Sequence, residues 1–297
     1  MNGSLGAAGV TGQPALPGFA WEGGGDQPEL AALVQQLLAT AGHGVMDPGV
    51  RSASRQQLMR RHPARKLTIP GPEAPTYWSI TVPGGTLSVA VRNGAIVYTD
   101  LTQDEPLFVR ECMARFGTMP NRSQPPPVMA RAVQHFIESG RFRGKLDLSG
   151  VPPFQRRVLL QALEIPRGEV RTYQWLAQAV GQPRAARAVG TAMAHNPIPI
   201  LIPCHRVVRS DYRIGEYGCG GPAKKRELLQ LEGVDLDLLE RMASGGLRFL
   251  GSRTTRIFCL PVCSAARRIR DDNRVYLTGT EAALAVGFRP CRRCRPA

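Results

Sequence analysis

Four of the seven cysteines stand as two close pairs near the C-terminus, Cys259-Leu260-Pro261-Val262-Cys263 and Cys291-Arg292-Arg293-Cys294, with 27 residues between the pairs. An odd cysteine total argues against a disulfide framework. The C-x3-C and C-x2-C spacings suit four thiolates around one tetrahedral ion, and zinc is the ion such a donor set selects. A stretch of about 50 residues carrying this site draws its folding energy from the metal. The pattern therefore predicts a small four-cysteine zinc module with Cys259, Cys263, Cys291 and Cys294 as ligands. Cys112, Cys204 and Cys219 are scattered, so a reactive thiol has to be sought among them.

The balance of 38 Lys and Arg against 23 Asp and Glu gives a formal charge of +15. Such a charge favours polyanions, DNA foremost; RNA binding or an Arg-rich proteome would explain it as well. No apolar run approaches the ~20 residues of a membrane span. The segment from Met1 to Pro17 lacks the basic start and apolar centre of a secretory signal. The expectation is a cytoplasmic protein, nucleoid-associated in a bacterium, with no membrane partner.

Gly, Ala and Pro dominate residues 1–28. Leu30, Leu33, Val34, Leu37 and Leu38 then recur at helical spacing, and Ser54 can cap a second short helix to Arg61. These are read as an N-terminal extension over residues 1–75, flexible or partly helical. Strand patterns follow at Tyr77–Val82, Thr86–Val91 and Ala95–Tyr98, with Pro83-Gly84-Gly85 and Asn93-Gly94 as turns. Helices are expected at Leu107–Phe116, Val128–Ser139 and Phe154–Ala162. Thr172 can cap a helix to Gly181, and Pro183 can open another to Ala194. Two short helices about a Gly-containing turn suit a helix-turn-helix, the second carrying Arg184 and Arg187 early.

After that corner the almost wholly apolar run Ile198–Ile202 delivers Cys204 into the polar stretch His205-Arg206. A thiol is a good nucleophile only as thiolate, which needs a base or a positive field nearby. On an extended segment adjacent side chains point apart, so His205 would act on Cys204 through a water.

The residues around Cys204 resemble the O6-alkylguanine-DNA alkyltransferases. The resemblance runs for about 80 residues. It includes Phe154, Ile165-Pro166-Arg167-Gly168-Glu169-Val170, Thr172-Tyr173, Ala185-Ala186-Arg187-Ala188-Val189-Gly190, Asn196-Pro197 and Ile202-Pro203-Cys204-His205-Arg206-Val207-Val208. It continues with Tyr217, Gly220-Gly221, Lys225, Leu228-Leu229 and Glu232-Gly233. It implies an enzyme, a single-turnover methylated-DNA–protein-cysteine methyltransferase. That enzyme would take an alkyl group from O6-alkylguanine, and from O4-methylthymine, onto Cys204 by SN2 displacement. His205 would take the thiol proton and Glu232 would orient His205. Tyr173 would donate to the guanine ring, Asn196 would hold the active-site turn, and Tyr217 would line the pocket. The partner would be double-stranded DNA carrying the alkylated base, flipped out of the stack. Arg187 would fill the vacated place, with Ala188 and Gly190 allowing close approach, and the protein would act as a monomer.

The C-terminal stretch resembles the zinc domain of the bacterial adaptive-response protein Ada, through Thr254-Thr255, Ile257-Phe258-Cys259, Pro261, Cys263, Gly287-Phe288-Arg289-Pro290-Cys291 and Arg293-Cys294. In that family the first ligand, here Cys259, also accepts a methyl group from DNA methylphosphotriesters. Arg256, Leu260 and Val262 depart from the pattern, so Cys259 stays open between second acceptor and plain ligand in a DNA-docking module. Tyr212 departs from the alkyltransferase pattern, which has Gly there, and predicts a remodelled loop after the acceptor.

Together the expectation is an α+β protein. A small antiparallel-sheet, ribonuclease H-like subdomain spans 76–150, a helical winged helix-turn-helix catalytic subdomain 151–236, and the four-cysteine zinc module 245–297. The alternative is a methylation-responsive transcriptional regulator of the Ada type.

Overall fold

In the computed structural model, the residues described are 73–296; the extension over 1–75, with its two expected helices, lies almost entirely outside them. The described residues form one compact unit. Its mixed α+β architecture is built of small sheets and short helices.

The first sheet is a meander of β1 (Thr76–Val82), β2 (Gly85–Arg92) and β3 (Ala95–Leu101). Its second turn uses Asn93 and Gly94 at φ +52 and +68, the paired left-handed geometry of a tight hairpin. A short fourth strand, β4 (Asn121–Arg122), adds to β1 in parallel, giving the order β3-β2-β1-β4. The expected antiparallel sheet is thus mixed at one edge. One face packs α1 (Glu105–Phe116) through Phe108 and Cys112 against Tyr77 and Tyr98. The other faces the main core.

That core gathers α2 (Pro127–Ser139), α3 (Pro153–Ala162), α4 (Tyr173–Ala179) and α5 (Ala186–Ala194) around the apolar run Ile198–Ile202. Thr172 caps α4, its hydroxyl accepting from the Trp175 amide at 3.0 Å. α5 starts at Ala186 rather than at Pro183. A turn intervenes, with the Ala185 amide bonded to the Gln182 carbonyl and Gln174 donating to the Pro183 carbonyl at 2.8 Å. Arg184 therefore lies in the turn, and Arg187 alone of the two is on the helix. Strands β5 (Arg171–Thr172) and β6 (Val207–Val208) pair in parallel, bringing the start of α4 beside the acceptor segment.

α6 (Gly221–Leu231) and α7 (Leu236–Ser244) lead into a second sheet of order β10-β8-β7-β9, made of β7 (Phe249–Ser252), β8 (Ile257–Cys259), β9 (Arg274–Leu277) and β10 (Arg289–Pro290), with α8 (Thr280–Ala285) alongside. A single cluster of buried side chains joins this sheet to the preceding part of the chain. Val170, Val208, Tyr212 and Leu229 share it with Leu250, Leu260, Val262 and the four paired cysteines. Two of the departures from the Ada pattern, Leu260 and Val262, are therefore apolar because they pack in a core. No helix among the described residues is long and apolar enough to cross a membrane.

Candidate active site and metal centre

Cys204 opens a 3-10 turn, Cys204–Arg206, rather than an extended segment. The apolar run before it is sharply folded: Ile200 stands at φ +71, a conformation that costs a β-branched residue of order 1–3 kcal/mol. The first sheet holds that fold in place. The Thr99 hydroxyl donates to the Pro199 carbonyl at 2.7 Å, and the Thr99 amide donates to the Pro197 carbonyl at 3.1 Å. Asn196 closes it from the other side. Its Oδ1 accepts from the Ile198 amide at 3.0 Å, which leaves Nδ2 to donate to the Ile202 carbonyl at 3.0 Å and to the Cys204 sulfur at 3.2 Å.

Burial pushes the Cys204 thiol above its ordinary value; the Asn196 amide and the Lys225 ammonium pull the other way. The thiolate is therefore disfavoured at rest and needs a base. His205 Nε2 lies 3.0 Å from Glu232 Oε1, so Nε2 carries the proton and Nδ1 is the acceptor. Among the described residues Nδ1 is buried without a hydrogen-bond partner. Burial also pushes the His205 pKa down, against the pull of Glu232, so the ring is neutral at neutral pH. A cavity of about 40 Å³, with room for a water, borders His205 and Glu232; Cys204 does not line it.

Glu232 does more than orient the imidazole. Arg206, nearly fully buried, grips it with Nε at 2.8 Å from Oε2 and Nη2 at 2.7 Å from Oε1. Arg206 also donates to the Gly140 and Ile165 carbonyls, at 3.2 and 2.6 Å. Burial alone would raise the carboxyl, but the hydrogen bonds and charges of His205 and Arg206 outweigh it and hold Glu232 at about 2.

Tyr173, the first residue of α4, sits close enough to Cys204 to feel its charge, and burial raises its hydroxyl. Lys225 lies 5.7 Å from its ring centre, fully buried and pushed down to about 8 by that burial. The Tyr217 hydroxyl is buried beside the Cys204 and Cys219 sulfurs, its ring edge-on to His205. Arg187, Ala188 and Gly190 lie together on the outer side of α5, the first two exposed. A Cβ built on Gly190 meets nothing within 4 Å, so the protein's own packing does not demand glycine there. The sequence assigns no role to Arg206, Glu169, Arg171 or Trp175. The usable signal for Arg206 is an arginine followed directly by the apolar pair Val207-Val208, a setting in which a buried guanidinium needs a carboxylate partner.

The sulfurs of Cys259, Cys263, Cys291 and Cys294 all lie within 4.8 Å of one another, and all four residues are buried. Tetrahedral zinc–thiolate geometry asks for about 3.8 Å between sulfurs, from a bond of about 2.3 Å. With four buried sulfurs in mutual contact, ionising one thiol makes it harder to ionise the next. Further thiolates in so small a space require a cation. The donor set fits zinc.

A family described as the 6-O-methylguanine DNA methyltransferase, DNA binding domain, matches residues 153–234, and the metal binding domain of Ada matches 241–297. The methylated-DNA–protein-cysteine methyltransferase of Rattus norvegicus is 51% identical over 100 residues, 33% of this chain and 46% of the relative. The chain thus spans about half the length of such a relative. The protein of the same description from Mycolicibacterium paratuberculosis is 48% identical over 161 residues, 52% of this chain and 91% of its own length. The crystal structure of the Mycobacterium tuberculosis O6-methylguanine methyltransferase is 34% identical, covering 53% of this chain and 92% of that one at a TM-score of 0.44.

Proposed function

The chain belongs to the methylated-DNA–protein-cysteine methyltransferase family, and from that premise we propose that it repairs duplex DNA by moving an alkyl group from O6-alkylguanine irreversibly onto Cys204. The observation that carries the reading is the Cys204 sulfur held 3.2 Å from the Asn196 amide, next to a neutral His205 bonded to an ionised Glu232.

His205 Nδ1 takes the Cys204 proton through a water, and Glu232 stabilises the imidazolium that forms. The sulfur lone pair then forms the S–C bond to the alkyl carbon while the C–O6 bond breaks, its electrons passing to the guanine oxygen and ring. The Tyr173 hydroxyl donates to the ring as that negative charge develops. A thioether is a poor leaving group, so each molecule acts once. O4-methylthymine presents the same kind of carbon–oxygen bond and serves as a second substrate.

In this reading α4 and α5 are the helix-turn-helix of a winged domain and the first sheet is the ribonuclease H-like subdomain. Arg187 replaces the flipped base, and exposed Ala188 with Gly190 lets α5 approach the groove closely. Tyr217 lines the alkyl pocket. Cys259, Cys263, Cys291 and Cys294 hold zinc, which supplies the charge that keeps four thiolates together. Burial does not separate the two roles of Cys259, ligand or second acceptor, because Cys259 is 2% exposed and the acceptor Cys204 itself only 5%.

Intact-mass and peptide analysis after incubation with duplex O6-methylguanine DNA tests the proposal. One methyl adduct on Cys204, absent in Cys204→Ser, is expected. Repeated turnover, or no adduct at Cys204, sinks it. An adduct at Cys259 with methylphosphotriester DNA would establish the second acceptor.

A further inference from the structure

We propose that Trp175 is a positioning residue that makes alkyl transfer at Cys204 depend on the four-cysteine centre. The proposal rests on the reading of Cys204 as acceptor, and the measurements below separate the two.

The Trp175 indole nitrogen donates to two carbonyls of the C-terminal tail, those of Cys294 at 2.9 Å and Arg295 at 3.1 Å. Cys294 is one of the four clustered cysteines. Arg295 stands at φ +45, outside the usual range for a residue with a side chain, and its amide bonds back to the Cys291 carbonyl at 2.9 Å. The tail is thus bent through two of the cysteines so that consecutive carbonyls meet one indole. Such a bend costs about 1–2 kcal/mol by itself and persists only where its surroundings hold it.

The other end of the connection is the active site. Trp175 sits in the first turn of α4, its amide bonded to the Thr172 cap, with Tyr173 between them. A second path reaches the same ring. The Arg171 guanidinium lies 5.3 Å from its centre and is tied at 2.7 Å to Glu169, whose other oxygen accepts from the Ser264 amide at 2.9 Å. Ser264 directly follows Cys263. Both paths that hold Trp175 therefore end on residues at or next to the clustered cysteines, and both bear on the turn that presents Tyr173 to Cys204.

Loss of the ion would release the four sulfurs from a common centre, and the Cys294 carbonyl that meets the indole would lose its fixed place. The indole and the first turn of α4 would be released with it. Coupling of this kind is reciprocal: DNA seated on α4 and α5 should steady the tail and slow loss of zinc.

The test compares the full zinc-loaded chain with Trp175→Phe, which keeps a ring beneath Arg171 and removes only the donor. Zinc release to a chromogenic chelator should be about tenfold faster in the variant, and the transfer rate to Cys204 should fall by about the same factor. Duplex DNA without a lesion should slow zinc release from the native chain and leave the variant unchanged. Unaltered zinc release overturns the proposal whatever happens to transfer, and so does faster release with unaltered transfer. Should the variant fail to fold, the native chain decides: transfer falling in step with zinc occupancy supports the link, and transfer independent of occupancy refutes it. Absence of any Cys204 adduct in the loaded native chain would count against the acceptor reading, while the zinc-release arms would still judge the link to Trp175.

Discussion

The hydroxyl of Tyr212 donates to the backbone carbonyl of Arg248, tying the turn after the acceptor cysteine to the entry of β7. Tyr212 does this at φ +65, so the left-handed backbone is kept although the residue is not glycine. The side chain is only 4% exposed, packed among Val170, Val208 and the cysteine cluster.

Tyr212→Gly would relieve about 1–2 kcal/mol of backbone strain but remove a buried aromatic side chain worth about 3–5 kcal/mol. Packing wins, and urea unfolding should show a net loss of about 2–3 kcal/mol. Tyr212→Phe should lose about 1 kcal/mol, the value of one hydrogen bond. A stabilised Tyr212→Gly protein would show that the strain outweighs the packing.

The four paired cysteines are legible in the sequence from their spacing, whereas Cys204, His205, Glu232 and Asn196 are singled out by the family resemblance around them. Their supports are not. Arg206 sits beside His205 in sequence with no role assigned to it, yet it is sealed against Glu232, Gly140 and Ile165. Its partners lie on three other segments, and sequence spacing carries no trace of that. The short strand Asn121–Arg122 has no alternation to detect. The start of α5 at Ala186 is set by a tertiary bond from Gln174, which overrides the local preference of Pro183 for a helix start. The junction at Trp175 uses backbone carbonyls as acceptors, which every residue offers alike.

Glu232→Gln separates orientation from charge. The amide keeps the shape but cannot stabilise an imidazolium, and it leaves Arg206 buried without its counter-charge. Single-turnover transfer should slow by about 10²- to 10³-fold. Chemical denaturation should show a loss of about 3 kcal/mol, the usual cost of stranding one member of a buried pair. A variant with native stability and a tenfold effect or less would reduce Glu232 to a structural anchor.

Stability should fall on the acid side through the same groups. Glu232 is ionised in the folded state down to about 2 against an ordinary 4.5, so the folded chain binds fewer protons than the unfolded one over that range. Its contribution is full above pH 4.5 and is lost as pH drops toward 2. His205 acts in the same direction, since burial lowers its pKa beneath 6.5 and the unfolded chain is protonated first. Denaturation midpoints measured from about pH 7 to about pH 3 should therefore decline, beginning below 6.5. A flat profile would mean that neither group is shifted in the folded protein.

Transfer itself should show an acid limb below pH 6.5, because only neutral His205 can accept the thiol proton. Glu232 raises the His205 pKa, so in Glu232→Gln the limb should move to lower pH while the plateau falls. An opposite displacement would assign the limb to another group.

Lys225 supplies the positive field that an unfavoured thiolate needs. It is fully buried, its charge favours the ionised Cys204, and its ammonium lies over the Tyr173 ring. Its own pKa is pushed down to about 8 by burial, so it is still mostly charged at neutral pH. An opposite charge at such range shifts a titration by about 1–3 units. Lys225→Met, which fits the apolar stem, should raise the Cys204 pKa by about one unit and slow transfer about tenfold at neutral pH. The gap should narrow as pH rises above about 8, where native Lys225 loses its own proton and the two proteins converge. Measured rates from about pH 7 to about pH 9.5 test this directly. A constant ratio across that range would place the effect of Lys225 in its bond to the Glu216 carbonyl rather than in its charge.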